Sequence, residues 1–156
     1  MAWALIDVLS GVEPLGLGAS ERSRVRERAR GIRAVEDPAP VLASWLRARA
    51  HLHLFGGSRE AVRELLTDSR FVPSGISDPR AHMAGGEEAE GYARSADLAA
   101  LRRDYLLVPS SSPNVFLRVV EVLPGLRAPL GAVLADLADH NGPREDAEVR
   151  RLLGAA

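Results

Sequence analysis

The chain has 156 residues, of which 46% are hydrophobic, so it can bury the core of one ordinary domain or of a helical unit joined to a small α/β unit. Its 21 acidic and 20 basic residues nearly cancel, so any attraction to nucleic acid or to an anionic membrane must come from a local patch. The absence of cysteine excludes disulfides, thiolate zinc sites and cysteine nucleophiles, and the default expectation is a cytoplasmic protein.

Residues 1–50 predict a helical segment with three helices. The first is short and amphipathic. Because acidic residues interrupt its apolar start and no basic residue precedes it, it is typical neither of a signal peptide nor of a membrane span. The second covers residues 20–33. The third covers residues 37–50, with Asp37 placed to cap it and Pro38 at its first position. An apolar stripe predicts that this third helix is packed, and the stripe consists of Val41, Leu42, Trp45 and Leu46.

From residue 51 the pattern alternates between strands and helices, which predicts a second domain over residues 51–156. The connection at residues 72–88 is rich in proline and glycine, and long connections in compact domains are often functional. Two helical patterns close the chain, and the last begins at Pro143. The fold class we predict is α+β, with an N-terminal helical segment, a small mixed sheet of about five strands and two C-terminal helices. The predicted strands are residues 51–55, 71–72, 89–93, 105–108 and 115–122, and the helices between them are residues 58–67 and 95–103.

The second helix carries six arginines and two glutamates, a local net charge of +4 over residues 20–33. At about 100° per residue, one narrow face of this helix is formed by Arg22, Arg26, Arg30 and Arg33. A helix seated by the neighbouring apolar stripe can lay four guanidinium groups along a phosphate backbone, which is the sequence-independent part of DNA binding. The same row can equally dock an acidic protein partner, or form a solvated face that pairs with acids elsewhere in the chain.

The sequence LFGGSREAVRELLTD at residues 54–68 superficially resembles the beginning of a nucleotidyltransferase site. In such a site, the backbone of a turn like Gly56, Gly57 and Ser58 approaches a phosphate at a helix N-terminus. The chemistry also needs paired carboxylates on a following strand to hold divalent metal, and no second acid alternates with Asp68. We therefore interpret the motif as a turn between a strand and a helix, and keep a nucleotidyltransferase-like enzyme as an alternative.

Two histidines alternate along the first predicted strand, so the rings of His51 and His53 share one face of the sheet. A third ligand from the connection, Asp78 or His82, would complete a metal site. No ligand motif with specific spacing supports this, and partly buried, hydrogen-bonded histidines explain the pattern equally well. We predict no metal and no cofactor.

Other polar residues have simpler explanations. Ser74 and Ser77 lack the strand-to-helix elbow that activates a serine nucleophile. The acid-rich segments at residues 84–90 and 136–148 fall in a loop and at a helix start, where solvation or capping explains their carboxylates. We therefore predict no catalytic residue.

The second half of the chain resembles a known family through degenerate structural motifs. PSGISDP precedes a variable loop, AEGYARSADLAALRRDYLLVPS and NVFLRVV follow, and PLGAVLADLADHNGPREDAEVRRLL comes after a proline break. In these residues, roughly 70–154, the chain resembles the C-terminal part of actinobacterial AbiEi-type proteins, the antitoxin and transcriptional-regulator component of type IV toxin-antitoxin systems. None of the motifs is a catalytic signature.

This resemblance implies a non-enzymatic protein that neutralises a toxin, commonly one with a nucleotidyltransferase fold, and that represses its own operon through an N-terminal winged helix. Residues 1–50 depart from that pattern, because they predict three helices and no wing hairpin. We therefore expect an antitoxin or regulatory binding protein whose partner is a cognate toxin. Operator DNA and a second copy of the chain are further candidate partners, and no membrane is expected. A stand-alone DNA-binding repressor is an alternative.

Overall fold

The computed structural model describes residues 1–83 and 87–155 and confirms the α+β class. Met1–Arg49, with the described residues from Pro129 onward, form a helical unit, and Ala50–Ala128 form a sheet unit. The α-helices of the described chain are α1 (Ala2–Leu9), α2 (Ala19–Ala34), α3 (Ala39–Trp45), α4 (Arg59–Leu65), α5 (Leu98–Asp104), α6 (Leu130–Asp139) and α7 (Pro143–Gly154). The strands are β1 (His51–Gly56), β2 (Val72–Pro73), β3 (Ala89–Arg94), β4 (Val108–Pro109) and β5 (Val115–Val120).

Helix α6 is the core element of the helical unit, and every residue from Gly131 to Ala138 is buried. Gly131 allows α6 to approach α1 closely, because a Cβ at this position would lie 2.5 Å from the carbonyl oxygen of Ile6. The backbone N–H of Gly131 donates to Oγ of Ser10 at 2.9 Å. Helices α6 and α7, which the sequence-based division at residue 50 assigned to the second domain, thus pack with α1 and α3 in the helical unit.

A buried ion pair joins the end of the N-terminal segment to α6. Both Nε and Nη2 of Arg49 donate to Oδ1 of Asp136, at 3.0 and 2.7 Å, and Nη2 also donates to Asp139 at 2.5 Å. Nε1 of Trp3 donates to the carbonyl oxygen of Arg49 at 3.0 Å. The prediction that solvation or capping explains the acids of residues 136–148 is therefore wrong for Asp136, which is fully buried and neutralises an arginine.

The five strands of the sheet unit lie in the order β2-β3-β5-β1-β4. Strands β3 and β5 are parallel and the other neighbouring pairs are antiparallel, so the sheet is mixed, as predicted. Helix α4 begins at its N-cap Ser58, whose Oγ accepts a hydrogen bond from the backbone N–H of Ala61 at 3.1 Å. Helices α4 and α5 cover one face of the sheet, and the core there is formed by Phe55, Val62, Leu65, Phe71, Ala89, Ala93, Leu101, Leu107, Val115, Leu117 and Val119.

The strand predicted at residues 105–108 begins later than expected, because Tyr105 and Leu106 form the C-terminal cap of the preceding helix. Tyr105 is the C-cap of α5, and Leu106 takes the left-handed conformation with φ of +51°. The backbone N–H of Leu107 donates to the carbonyl oxygen of Arg102 at 2.9 Å, which satisfies a free carbonyl of the last helical turn. The strand therefore begins only at Val108.

Helix α3 is shorter than predicted. Its N-cap is Pro38, without a side-chain hydrogen bond, so the predicted capping role of Asp37 is wrong. The helix ends at Trp45, and Arg47–Arg49 continue as a 3-10 turn. In that turn the guanidinium of Arg49 folds back and donates to the carbonyl oxygen of Leu46 at 2.8 Å, which satisfies a carbonyl at the helix end.

The connection at residues 72–88 is locally structured, although its residues 84–86 lie outside the described residues. Strand β2 is followed by two 3-10 turns, Gly75–Ser77 and Pro79–Ala81. Asp78 caps the second turn by accepting from the backbone N–H of Arg80 at 2.9 Å, and the two side chains form an ion pair at 2.8 Å. His82 ends the turn in the left-handed conformation with φ of +50°.

Candidate functional site

The predicted row of basic side chains lies on the surface of the helical unit and consists of Arg22, Arg26, Arg30 and Arg33. Its helix, α2, begins after Gly18, whose backbone N–H donates to Oε2 of Glu21 at 2.9 Å and so closes the first turn. Val25, Ala29 and Ile32 are at most 1% exposed and hold the helix against the unit. Three arginines of the row are exposed and Arg22 is half-buried. We call these four side chains the arginine row.

Two members of the arginine row bind the loop that precedes α2. Nη2 of Arg26 donates to both carboxylate oxygens of Glu13, at 2.7 and 2.6 Å. Arg22 lies 3.9 Å from the same carboxylate and donates to the carbonyl oxygen of Leu17 at 2.6 Å. Because both ionic groups of the closer pair are more than half exposed, the pair contributes at most about 1 kcal/mol and a competing anion can displace it.

The other two members are more open. Arg33 donates to the carbonyl oxygen of Leu9 over 3.5 Å, which is a long hydrogen bond. Arg30 is exposed, and among the described residues no hydrogen bond or ion pair engages its guanidinium. The row therefore offers one unengaged guanidinium, one weakly engaged guanidinium and two that are held by exposed or half-buried contacts.

The opposite flank of α2 carries a second basic feature that sequence patterns did not indicate. The guanidinium carbon of Arg28 lies 5.7 Å from the ring centroid of Trp45, a cation–π contact between α2 and α3. Trp45 is 46% exposed, so its predicted place in a packed apolar stripe is wrong. Because α3 ends at Trp45, the indole ring lies at the surface, where the guanidinium of Arg28 covers one of its faces.

Several polar groups of the Gly-Gly-Ser turn after β1 are engaged by the protein itself. The backbone N–H of Gly57 donates to Oδ1 of Asn114 at 2.9 Å, and Nδ2 of Asn114 donates to the carbonyl oxygen of Gly57 at 2.9 Å. Oγ of Ser58 is used as the cap of α4. A Cβ on Gly57 would lie 3.0 Å from the side chain of Leu107, so tight packing explains this glycine. Gly56 is the last residue of β1.

The carboxylates that nucleotidyl transfer requires are not supplied by the strands beside this turn. Strands β4 and β5, the two neighbours of β1, contain no acid, and neither does β1 itself. A cleft of about 340 Å³ lies next to the turn and is lined by Arg59, Glu87, Glu88 and Asn114. Its two acids are consecutive, and Glu87 pairs with Arg59 at 2.7 Å. This arrangement does not provide the alternating pair that would hold divalent metal.

The two histidines of β1 share a face of the sheet, as their spacing predicts. His51 is exposed, and the half-buried ring of His53 stacks on Phe55 with centroids 5.9 Å apart and planes 12° apart. The proposed third ligand, Asp78, is instead engaged by Arg80. Over residues 1–83 and 87–155, no cluster of three or more histidine, aspartate or glutamate side chains has a geometry that could hold a metal ion.

A buried ion pair inside the sheet unit was missed from sequence. Oε1 of Glu90 accepts from Nη1 of Arg118 at 2.5 Å, and Oε2 accepts from the backbone N–H of Ile76 at 2.8 Å. Ser77 accepts from the backbone N–H of Glu90 at 2.9 Å, and the N–H of buried Ser74 donates to the Glu90 carbonyl at 2.9 Å. The prediction of a solvated carboxylate is wrong for Glu90, which is fully buried. The available signal was an acid and a base, each inside an apolar strand.

A second ionic network fixes the ends of α4 and α5. Arg70 donates to Asp68 at 2.6 Å and to Asp104 at 2.9 Å, and the hydroxyl of Tyr105 donates to Asp68 at 2.6 Å. Hydrogen bonds from Arg70 hold the pKa of Asp68 and of Asp104 below their usual range. The bond to Asp68 raises the pKa of Tyr105 above its usual value. All four groups satisfy one another, so the network is structural.

No family model, no curated protein and no solved structure matches this chain. The resemblance to AbiEi-type proteins therefore stays a prediction that is based on the quoted motifs. Among the described residues, no helix is both long enough and apolar enough to span a membrane.

Proposed function

We propose that the protein is a non-enzymatic binding protein of the antitoxin or regulatory kind, and that α2 binds an anionic partner through the arginine row. The observation that carries this proposal is the fixed helix: a buried stripe seats α2, and four guanidinium groups share its outer face. With a rise of 1.5 Å per residue, the row from Arg22 to Arg33 extends over about 16 Å. The cost of ordering these side chains is reduced where hydrogen bonds already hold them.

The charge pattern supports local rather than global attraction. The whole chain has a net charge of −1, whereas residues 20–33 alone carry +4. A partner is therefore attracted to one face, which gives orientation as well as affinity. Because arginine binds carboxylate and phosphate bidentately, both an acidic protein such as a cognate toxin and a nucleic acid match the row by charge. The resemblance to antitoxins favours the protein partner.

Retention on heparin tests the row directly. We expect the double variant Arg26→Ala/Arg30→Ala to elute at clearly lower salt than the wild-type protein, because half of the guanidinium groups on the face are removed. The matched control is Arg63→Ala/Arg127→Ala, which removes the same charge from exposed arginines elsewhere. Equal elution of the two double variants would contradict the proposal.

The antitoxin half of the proposal needs a growth assay. Co-expression with the product of the adjacent gene should relieve a growth arrest that this product causes, and Arg26→Ala/Arg30→Ala should relieve it less than the wild-type chain does. Relief that is the same for both proteins would place the toxin contact elsewhere. An adjacent product that does not inhibit growth would argue against an antitoxin.

The two alternatives make different predictions. A DNA-binding repressor would retard its own upstream DNA in a gel and would lose affinity steeply as salt is added. The slope of log affinity against log salt concentration would become shallower by about 0.9 for each phosphate contact removed. A nucleotidyltransferase-like enzyme would be stabilised by nucleoside triphosphate with Mg²⁺ in a thermal melt. We expect no such stabilisation, because the turn lacks paired acids and Asn114 already engages the backbone N–H and carbonyl of Gly57.

A further inference from the structure

The loop between α1 and α2 presents apolar side chains to solvent on a defined backbone. Gly11 and Gly16 have φ of +77° and +74°, a conformation that glycine adopts without strain. After α1, the backbone N–H of Val12 donates to the carbonyl oxygen of Asp7 at 2.8 Å, as in a Schellman cap. Held in this way, Val12 is 56% exposed and Leu15 is 92% exposed.

The same loop is tied to the arginine row. Arg26 donates two hydrogen bonds to Glu13, which lies between Val12 and Leu15 in the sequence. Arg22 donates to the carbonyl oxygen of Leu17. The loop that carries the apolar side chains is therefore held by two arginines of the row. We define the loop–arginine surface as Val12, Leu15, Arg22, Arg26 and Arg30.

The contact with Glu13 shows that this surface accommodates a carboxylate. A carboxylate sits on Arg26 with both oxygens within 2.7 Å and with Arg22 3.9 Å away. The pair is short, as charge-assisted hydrogen bonds are, but its exposure keeps its net contribution small. A carboxylate from another molecule can therefore take the place of Glu13, which is 55% exposed.

The exposed apolar tips separate two kinds of anionic partner. A phosphate backbone offers nothing apolar for Leu15, and a leucine that enters duplex DNA as a wedge between base steps has to unstack and kink the duplex. A protein pocket does the opposite, since interfaces bury an apolar centre inside a polar rim. An apolar residue that is 92% exposed, on a loop that two arginines hold, matches such a pocket with an acidic rim.

We propose that the loop–arginine surface docks a partner protein that presents an apolar pocket edged by carboxylates, with Leu15 entering the pocket and a partner carboxylate displacing Glu13 from Arg26. The proposal rests on the proposed function and names the chemistry of its partner. It assigns charge recognition to the arginine row and the choice of protein over nucleic acid to the loop.

Fluorescence anisotropy with three labelled probes tests this. The probes are a peptide of Glu-Glu-Leu repeats, whose leucines stand in for the apolar wall of the pocket and whose glutamates stand in for its rim, a peptide of Glu-Glu-Ser repeats with the same charge, and a short DNA duplex. We expect the wild-type protein to bind the Glu-Glu-Leu peptide about tenfold more tightly than the other two, on the scale of one buried leucine. Leu15→Ser should abolish this preference, whereas Leu126→Ser, at an equally exposed leucine of the sheet unit, should keep it.

A third variant addresses the displacement of Glu13. We expect Glu13→Gln to bind both peptides about two- to fivefold more tightly, because an exposed internal competitor is removed. Glu27→Gln, which removes an exposed acid of α2, is the matched control and should have a smaller effect. A gain from Glu27→Gln as large as the gain from Glu13→Gln would show general electrostatics and would overturn the displacement step.

The outcomes separate the two claims. Equal binding of both peptides that depends on Arg26 and Arg30 would overturn the pocket inference and leave the proposed function standing. Tighter binding of DNA than of either peptide would also overturn it and favour the repressor alternative. If binding of none of the three probes depends on Arg26 and Arg30, the proposed function itself is overturned. Since Leu15 is almost fully exposed, Leu15→Ser should fold, which circular dichroism verifies.

Discussion

The substitution Glu90→Gln measures how much the free energy of unfolding falls when a buried arginine of the sheet unit loses its counter-ion. The carboxylate is fully buried and accepts from Arg118 and from the backbone N–H of Ile76. Glutamine keeps the shape but removes the charge, while the side chain of Arg118 stays only 3% exposed. Loss of one partner of a buried ion pair costs about 3–5 kcal/mol, and because glutamine still accepts a hydrogen bond we expect about 3 kcal/mol for Glu90→Gln.

Urea unfolding at pH 7, followed by circular dichroism, measures this cost. The control Glu64→Gln changes an exposed glutamate of α4 and should stay within about 0.5 kcal/mol of the wild-type protein. Arg118→Met combined with Glu90→Gln should cost less than the sum of the two single changes by about 1–3 kcal/mol, since neither charge is then left alone. A cost below about 1 kcal/mol for Glu90→Gln, or strict additivity in the double variant, would refute the reasoning.

Two further predictions concern stability. Gly131→Ala places a Cβ against the backbone of Ile6 and should destabilise the helical unit by about 1–3 kcal/mol, whereas Gly31→Ala, where nothing lies within 4 Å, should be neutral or stabilising in thermal melts. A smaller effect at residue 131 than at residue 31 would contradict the close approach of α6. The pKa of Asp68 is lowered by Arg70, so the ionised carboxylate stabilises the folded protein fully at pH values above the ordinary pKa of 3.8. This contribution to the free energy of unfolding is lost as the pH falls below that value. Urea unfolding between pH 2 and 7 should therefore show a shallower acid loss for Asp68→Asn than for the wild-type protein, and identical acid profiles would rule out this role.

Much of the fold could be predicted because local patterns decide it. Apolar periodicity placed α2 and α6, start and end signals placed α7, and short strand patterns placed β1, β3 and β5 within one or two residues. The arginine row was also predictable, since a period of 3.6 residues is enough to put its members on one face. The cap at Leu106 was not, because a non-glycine residue in the left-handed conformation leaves no signal in the sequence.

Long-range pairing explains what sequence patterns missed. Arg49 and Asp136 are 87 positions apart, and Glu90 and Arg118 are 28 positions apart, so neither pairing leaves a local trace. The same limit hid the packing of α6 with α1, which depends on the small size of Gly131. Local rules predict elements, whereas the choice of partners depends on tertiary packing.

The loop before α2 shows the same limit at the candidate site. Its glycines mark a turn, but the contact between Glu13 and Arg26 and the exposure of Leu15 depend on the tertiary structure. A solvated glutamate and a buried leucine would have been equally compatible with the sequence. The functional hypothesis gained specificity there, because a charged row became a surface with both ionic and apolar components.

Chemical-shift mapping by NMR shows whether α2 is the binding element. In a titration of the ¹⁵N-labelled protein with a heparin hexasaccharide, we expect backbone amide shifts to concentrate in residues 12–33 and to become weaker in Arg26→Ala/Arg30→Ala. Shifts centred on the sheet unit, or shifts in residues 12–33 that the double variant leaves unchanged, would contradict the assignment of α2 as the binding element.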